Sequence, residues 1–139
     1  MSKVAVVYWS GTGNTEEMAN AVAEGAEGAG LEVEVIQVSE FSADAAAEYD
    51  AIAFGCPAMG SEELEDTEFQ PVWDEVKDGL GEKKVVLFGS YEWAEGEWME
   101  NWKADAADSG VNVVDSVICF STPEDENLEE CRALGAKLA

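Results

Sequence analysis

The chain has no histidine, and only seven Lys and Arg stand against 31 Asp and Glu in 139 residues. Without histidine there is no Ser–His or Cys–His catalytic pair, and the commonest general base and metal ligand are missing. A formal net charge of −24 repels anionic membranes. It also repels nucleic acid, whose binding draws on neutralisation of phosphates by Lys and Arg. Encounter with basic surfaces on a partner is favoured instead, although adaptation to high salt would leave the same composition. Cys56, Cys119 and Cys131 are odd in number, widely spaced and outside any CxxC or zinc pattern. They read as reduced thiols of a cytoplasmic protein without a metal centre. No apolar run reaches the roughly 18 residues of a membrane span. The N-terminus enters a strand pattern within three residues, which leaves no room for a signal peptide. Low-complexity linkers and internal repeats are also absent.

What remains is the pattern of a single domain over residues 1–139. A chain of this length buries roughly 70% of the surface it exposes when unfolded, enough to fold without disulfides. Apolar runs at Val4–Tyr8, Val33–Val38, Ala51–Gly55, Lys84–Gly89 and Val111–Phe120 read as strands. Several are apolar on both faces, as buried parallel strands are. Helical stripes lie between them: Met18, Ala19, Val22, Ala23 and Ala26; Phe69, Val72, Trp73, Val76 and Leu80; Trp98, Met99, Trp102 and Ala106; Leu128, Cys131, Leu134 and Leu138. Asn14 with Glu17 and Thr67 with Gln70 fit capping boxes, and Thr122–Pro123 fits a cap before a first-turn proline. The least patterned segment, Ser39–Tyr49, reads as a short helix over its alanines. Alternation of strand and helix implies an α/β protein with a five-stranded parallel sheet covered on both faces. Ligands of such sheets sit beyond the carboxyl ends of the strands, where strand order reverses. That directs attention to Trp9–Thr15, Cys56–Asp66 and Ser90–Glu97.

The first of these segments, Ser10-Gly11-Thr12-Gly13-Asn14-Thr15, joins a strand to a helix. Two glycines and small hydroxyls at a helix N-terminus suit a phosphate: backbone N–H groups point outward, the dipole is positive and the chain can approach closely. The loop has no Lys or Arg and fails both GxxxxGK[ST] and GxGxxG, which disfavours a nucleoside triphosphate and a dinucleotide. A lone phosphate monoester fits better. The competing reading is a polar turn with a helix cap.

Tyr8-Trp9-Ser10-Gly11-Thr12-Gly13-Asn14-Thr15-Glu16 resembles the phosphate loop of flavodoxins. Cys56-Pro57-Ala58-Met59-Gly60-Ser61-Glu62-Glu63-Leu64 and Phe88-Gly89-Ser90-Tyr91-Glu92-Trp93 resemble their two flavin-ring loops. The three motifs are in order, at the right strand ends, and span the chain. The last strand has no long insertion, so the chain resembles the short-chain type. The resemblance implies a flavodoxin-like three-layer sandwich with strand order 2-1-3-4-5 and bound FMN. It implies that Ser10, Gly11, Thr12, Gly13, Asn14 and Thr15 hold the phosphate. It further implies that Pro57, Ala58, Met59, Gly60, Ser61, Glu62, Ser90, Tyr91, Glu92, Trp93 and Gly96 line the ring. Met59 and Trp93 would sandwich the ring, Glu62 would accept from flavin N3–H, and the peptide after Gly60 would turn over on one-electron reduction. A glycine there tolerates such a turn at little steric cost. Relatives usually carry Gly-Trp-Gly where this chain has Glu92-Trp93-Ala94, so the backbone contacts of that loop need not carry over. Trp98 and Trp102 share one helix face and read as core. Trp9 either shields the phosphate end or caps strand one.

The implied function is low-potential one-electron transfer, cycling between flavin semiquinone and hydroquinone in place of a ferredoxin. Its partners would be redox enzymes with basic docking faces, and the protein would be a cytoplasmic monomer without substrate turnover of its own. A flavin-dependent NAD(P)H:quinone reductase on the same fold is the first alternative, but it needs room for a second substrate and usually carries extra loops. A phospho-receiver module would need acidic residues after strand one and an Asp ending strand three, where this chain has Trp9-Ser10 and Gly55-Cys56. The remaining alternative is a cofactor-free acidic interaction protein.

Overall fold

The computed structural model describes residues 3–9, 13–57, 68–81, 83–91, 97–120 and 123–139. The elements run β1 (Lys3–Tyr8), α1 (Asn14–Gly28), β2 (Glu32–Gln37), α2 (Ala43–Ala46), β3 (Ala51–Gly55), α3 (Phe69–Val76), β4 (Lys84–Tyr91), α4 (Glu97–Asp108), β5 (Asn112–Phe120) and α5 (Asp125–Ala136). All strand pairs are parallel, in the order β2-β1-β3-β4-β5. The expected three-layer architecture and strand order are therefore both present.

Period-two alternation divides each inner strand between two cores. Val4, Val6, Ala51, Ala53, Val86 and Phe88 face α1 and α5, and join Met18, Val22, Cys131 and Leu134. Ala5, Val7, Ile52, Phe54, Val85 and Leu87 face the other side, and join Phe69, Trp73, Trp98, Trp102 and Ala106. Burial on both faces is why these strands read as unbroken apolar runs. Phe54 lies edge-on to Trp73 at 5.2 Å, and Trp102 lies edge-on to Phe69 at 5.4 Å and to Trp73 at 5.8 Å. Each such pair contributes ~0.5–1.5 kcal/mol beyond area burial. Trp98 and Trp102 are core residues, as their spacing implies.

Helices α1 and α5 approach so closely that side chains are excluded at their crossing. A Cβ on Gly25 would lie 1.8 Å from the Arg132 carbonyl oxygen, and one on Gly135 would lie 1.9 Å from that of Val22. The edge strand β2 alternates weakly and presents Glu32, Glu34 and Gln37 to solvent, a charged edge that resists pairing with other chains. At the other edge, a register shift lets Val113 pair with Val85 and Asp115 with Val86, leaving Val114 unpaired and 45% exposed.

Three local expectations are corrected. The N-cap of α1 is Gly13, with no side-chain cap, so Asn14 is the first helical residue and does not form a capping box with Glu17. For α3 the cap position is Glu68, one residue later than expected, again without a side-chain bond. Helix α5 starts at Asp125, and its capping box is formed by Glu124 and Asn127, so Pro123 precedes the helix. Short spacing rules place a cap only to within a residue or two. Ser90 and Tyr91, read as loop, belong to β4 because β5 is long enough to pair with them, at Cys119 and Phe120.

Candidate functional site

The C-terminal edge of the sheet gathers the described parts of the segments singled out from the sequence. The chain leaves β1 toward α1 on one face, while β3 leads to α3 on the other. The crevice between the adjacent strands β1 and β3 is thus a topological switch point. Backbone pairing continues past the strands: Trp9 N–H donates to Gly55 O at 3.0 Å and Cys56 N–H to Phe88 O at 3.1 Å. Both bonds hold the bases of the candidate loops against the sheet.

At the head of α1, Gly13 adopts φ 95° and ψ −11°, the left-handed region. A Cβ there would meet nothing within 4 Å, so glycine is required by backbone conformation and not by space. Its carbonyl accepts the first helical bond, from Glu17 N–H at 3.0 Å. The first-turn N–H groups of this 15-residue helix have no carbonyl partner within it, and they point toward the end of the positive dipole. Thr15 is buried in this first turn. Ser10, Gly11 and Thr12 lie outside the described residues.

Beside this loop a cleft of about 210 Å³ is lined by Tyr8, Trp9, Gln37, Val38, Ser39 and the carboxylates of Glu16 and Glu68. Trp9 Nε1 donates to Glu68 Oε1 at 3.1 Å, which ties the end of β1 to the start of α3. Two carboxylates make this cleft hostile to an anion.

Just past β3, Cys56 is buried and Pro57 half-buried. Trp98 Nε1 donates to Cys56 O at 3.3 Å. Gly89 lies so close that a Cβ would be 2.1 Å from the Cys56 oxygen and 3.0 Å from Trp98 Cζ2. Neither Gly89 nor Trp98 was identified as a site residue from sequence. The one signal was a glycine inside a central strand, which marks close backbone approach. Ser90 is buried, and Tyr91 packs against Trp98 at 5.7 Å. Ala58, Met59, Gly60, Ser61, Glu62, Glu92, Trp93 and Gly96 lie outside the described residues. Of the expected site, then, Gly13, Asn14, Thr15, Pro57, Ser90 and Tyr91 are brought to one edge of the sheet. Among the described residues no group of three His, Cys, Asp or Glu is placed to hold a metal ion. Burial pushes the Cys119 thiol up to about 11 and the Cys131 thiol up to about 12, with nearby negative charge adding to both, so neither is a nucleophile at neutral pH.

The donor set at α1 is neutral, made of backbone amides with a buried threonine, and fits a phosphate monoester. Together with the doubly wound sheet it defines an α/β mononucleotide-binding protein. The Flavodoxin family model matches residues 6–135. A flavodoxin of Megasphaera elsdenii is 46% identical over 136 residues, covering 98% of each chain, and one of Clostridium beijerinckii is 40% identical over 134 residues, covering 96% of this chain and 97% of that protein. The solution structure of two-electron reduced M. elsdenii flavodoxin superposes with a TM-score of 0.88 at 44% identity, over 96% of this chain and 98% of that one. An NAD(P)H dehydrogenase (quinone) of Bradyrhizobium matches over only 68 residues, 48% of this chain and 34% of that protein. The chain belongs to the flavodoxin family, whose members carry electrons on bound FMN.

Proposed function

We propose that residues 1–139 form a single FMN-binding domain, a monomeric cytoplasmic low-potential one-electron carrier that stands in for a ferredoxin and has no substrate turnover of its own. The observation that carries this reading is the neutral amide cradle at the head of α1, with Gly13 at positive φ and the Gly89–Trp98–Cys56 clamp just past β3. Ser10, Gly11, Thr12, Gly13, Asn14 and Thr15 grip the phosphate through N–H and O–H donors. Pro57, Ala58, Met59, Gly60, Ser61 and Glu62 hold the ring from one side, and Ser90, Tyr91, Glu92, Trp93 and Gly96 from the other. When bound, FMN supplies two one-electron steps whose potentials its surroundings can set apart.

The rest is the work of the chain. Met59 and Trp93 cover the ring faces and exclude water. With FMN bound, a carbonyl beside Gly60 would accept from flavin N5–H, a bond of ~1 kcal/mol, or tens of millivolts. The −24 surface opposes added negative charge: one carboxylate ~10 Å away contributes roughly 0.4–1.7 kcal/mol before screening. Among the described residues no helix is long and apolar enough to cross a membrane.

Absorbance of the purified protein and titration of the apoprotein with FMN test this reading. A colourless protein that fails to bind micromolar FMN overturns it. Turnover of NADH with a quinone acceptor well above the rate of free flavin would favour the reductase alternative, which partial dehydrogenase matches support.

A further inference from the structure

Charge is segregated along the strand axis. Lys3 opens β1, Lys83 and Lys84 lead into β4, and Lys77 follows α3. Lys103 and Arg132 lie past the midpoints of α4 and α5, and Lys137 lies beyond α5. Helices run antiparallel to the strands they connect, so all seven basic residues occupy the half of the molecule toward the N-terminal edge of the sheet. Five of them are paired there: Lys3 with Glu34, Lys77 with Asp74 and Asp105, Lys103 with Glu100, Arg132 with Glu24 and Glu129, and Lys137 with Asp115. The C-terminal edge has no basic residue. It carries Glu16 and Glu17 on the first turn of α1, Glu68 before α3, and Glu124, Asp125 and Glu126 at the head of α5, all exposed.

One aromatic side chain lies open within that acidic rim. Phe120, the last residue of β5, is 63% exposed. The other exposed large apolar side chains among the described residues, Val35 and Val114, lie in β2 and at the irregularity near the start of β5. Phe120 pairs in register with Tyr91, and their rings meet edge-on at 5.5 Å. Tyr91 in turn packs against Trp98, which is 1% exposed. The ring of Phe120 is thus braced through two aromatics to the core and open on its outer side. Tyr91 directly precedes Glu92 and Trp93, which the proposed function assigns with it to the flavin ring.

We propose that Phe120, braced by Tyr91, is the apolar anchor through which this carrier docks on a redox protein presenting an apolar pocket ringed by Lys and Arg. The proposal rests on the electron-carrier reading. A preformed aromatic anchor loses little conformational entropy on binding, and such residues carry much of the energy at the centre of interfaces with polar rims. The bare acidic rim steers a basic partner and fixes its orientation. A second copy of this chain is opposed by like charge.

The test uses reduced holoprotein and a basic c-type cytochrome with a lysine-ringed haem edge, mixed by stopped flow over a series of salt concentrations. Phe120→Ser lowers the second-order rate by about fivefold or more at every salt concentration, with the salt slope unchanged. Phe120→Leu stays near wild type, and Glu124→Gln with Asp125→Asn flattens the slope. FMN affinity and reduction of ferricyanide are unchanged by Phe120→Ser. An unchanged cytochrome rate in Phe120→Ser overturns the proposal. So does an equal loss of FMN affinity, which would assign the side chain to the cofactor, or a wild-type dimer in sedimentation that the substitution dissolves. A wild-type holoprotein that reduces neither ferricyanide nor the cytochrome removes the carrier reading itself, and the docking proposal with it.

Discussion

Replacing Gly89 by Ala should damage the fold and the cofactor site together. The added Cβ would lie 2.1 Å from the Cys56 carbonyl oxygen, 3.0 Å from its carbon and 3.0 Å from Trp98 Cζ2. An ordinary C···O contact is about 3.3 Å or more, so the two backbones must part by roughly 1 Å. Turning the oxygen away about Cys56 ψ would break its hydrogen bond from Trp98 Nε1, while the Cys56 N–H bond to Phe88 O at 3.1 Å keeps the residue itself on the sheet. Overpacking of this kind costs about 1–3 kcal/mol. Loss of the Trp98–Cys56 bond, 3.3 Å long in the native protein, adds about 1 kcal/mol. The sum, roughly 2–4 kcal/mol, is a large part of an ordinary domain's stability of ~5–15 kcal/mol. It corresponds to a fall in Tm of roughly 6–16 °C for a domain of this size. Urea denaturation of the apoprotein measures the loss without the cofactor's contribution, and FMN titration measures what reaches the site through Pro57. Gly28→Ala is the control: its Cβ meets nothing within 4 Å, and alanine favours the helix. If Gly89→Ala apoprotein unfolds within about 0.5 kcal/mol of wild type, a margin typical of surface changes, the close approach does not exist and the reasoning fails.

The α1–α5 crossing gives a second expectation: Gly135→Ala drives a Cβ into Val22 O and should cost 2 kcal/mol or more in urea melts, within the overpacking range of about 1–3 kcal/mol or slightly above it. The thiols of Cys119 and Cys131, held up at about 11 and about 12 chiefly by burial, should not react with Ellman's reagent at pH 8 in the native protein, whereas guanidinium should release all three cysteines. Burial alone would raise the Asp105 carboxyl, but hydrogen bonds from Trp73 Nε1 and Lys77 outweigh it and leave the group below its ordinary value. A lowered folded value gives stability that is present above the unfolded value near 3.8 and lost as the pH falls through the folded one. Asp105→Asn should therefore flatten the fall in Tm below about pH 4.

Much of the architecture was legible because burial on both faces writes itself into β1, β3 and β4 as continuous apolar runs, and because the stripe from Trp98 to Ala106 has helical spacing. The glycine at the head of α1 was legible because its setting is local: it follows a strand and opens a helix, and the structure places Gly13 in the left-handed region. Caps were less so. Gly13, not Asn14, heads α1, and Glu124 with Asn127, not Thr122 with Pro123, starts α5, since short spacing places a cap only to within a residue or two. Ser90 and Tyr91 joined β4 only because β5 supplies partners for them.

The sequence by itself determined the sheet class, the two-sided cores and the sign of the net charge, all of which follow from residue type and short-range period. Tertiary structure alone decided that Gly89, Cys56 and Trp98 meet, that seven cations gather at one end, and that Phe120 is left open beside Tyr91. Each of these is a relation between residues distant in the chain, set by strand register and helix direction, and no local pattern encodes it.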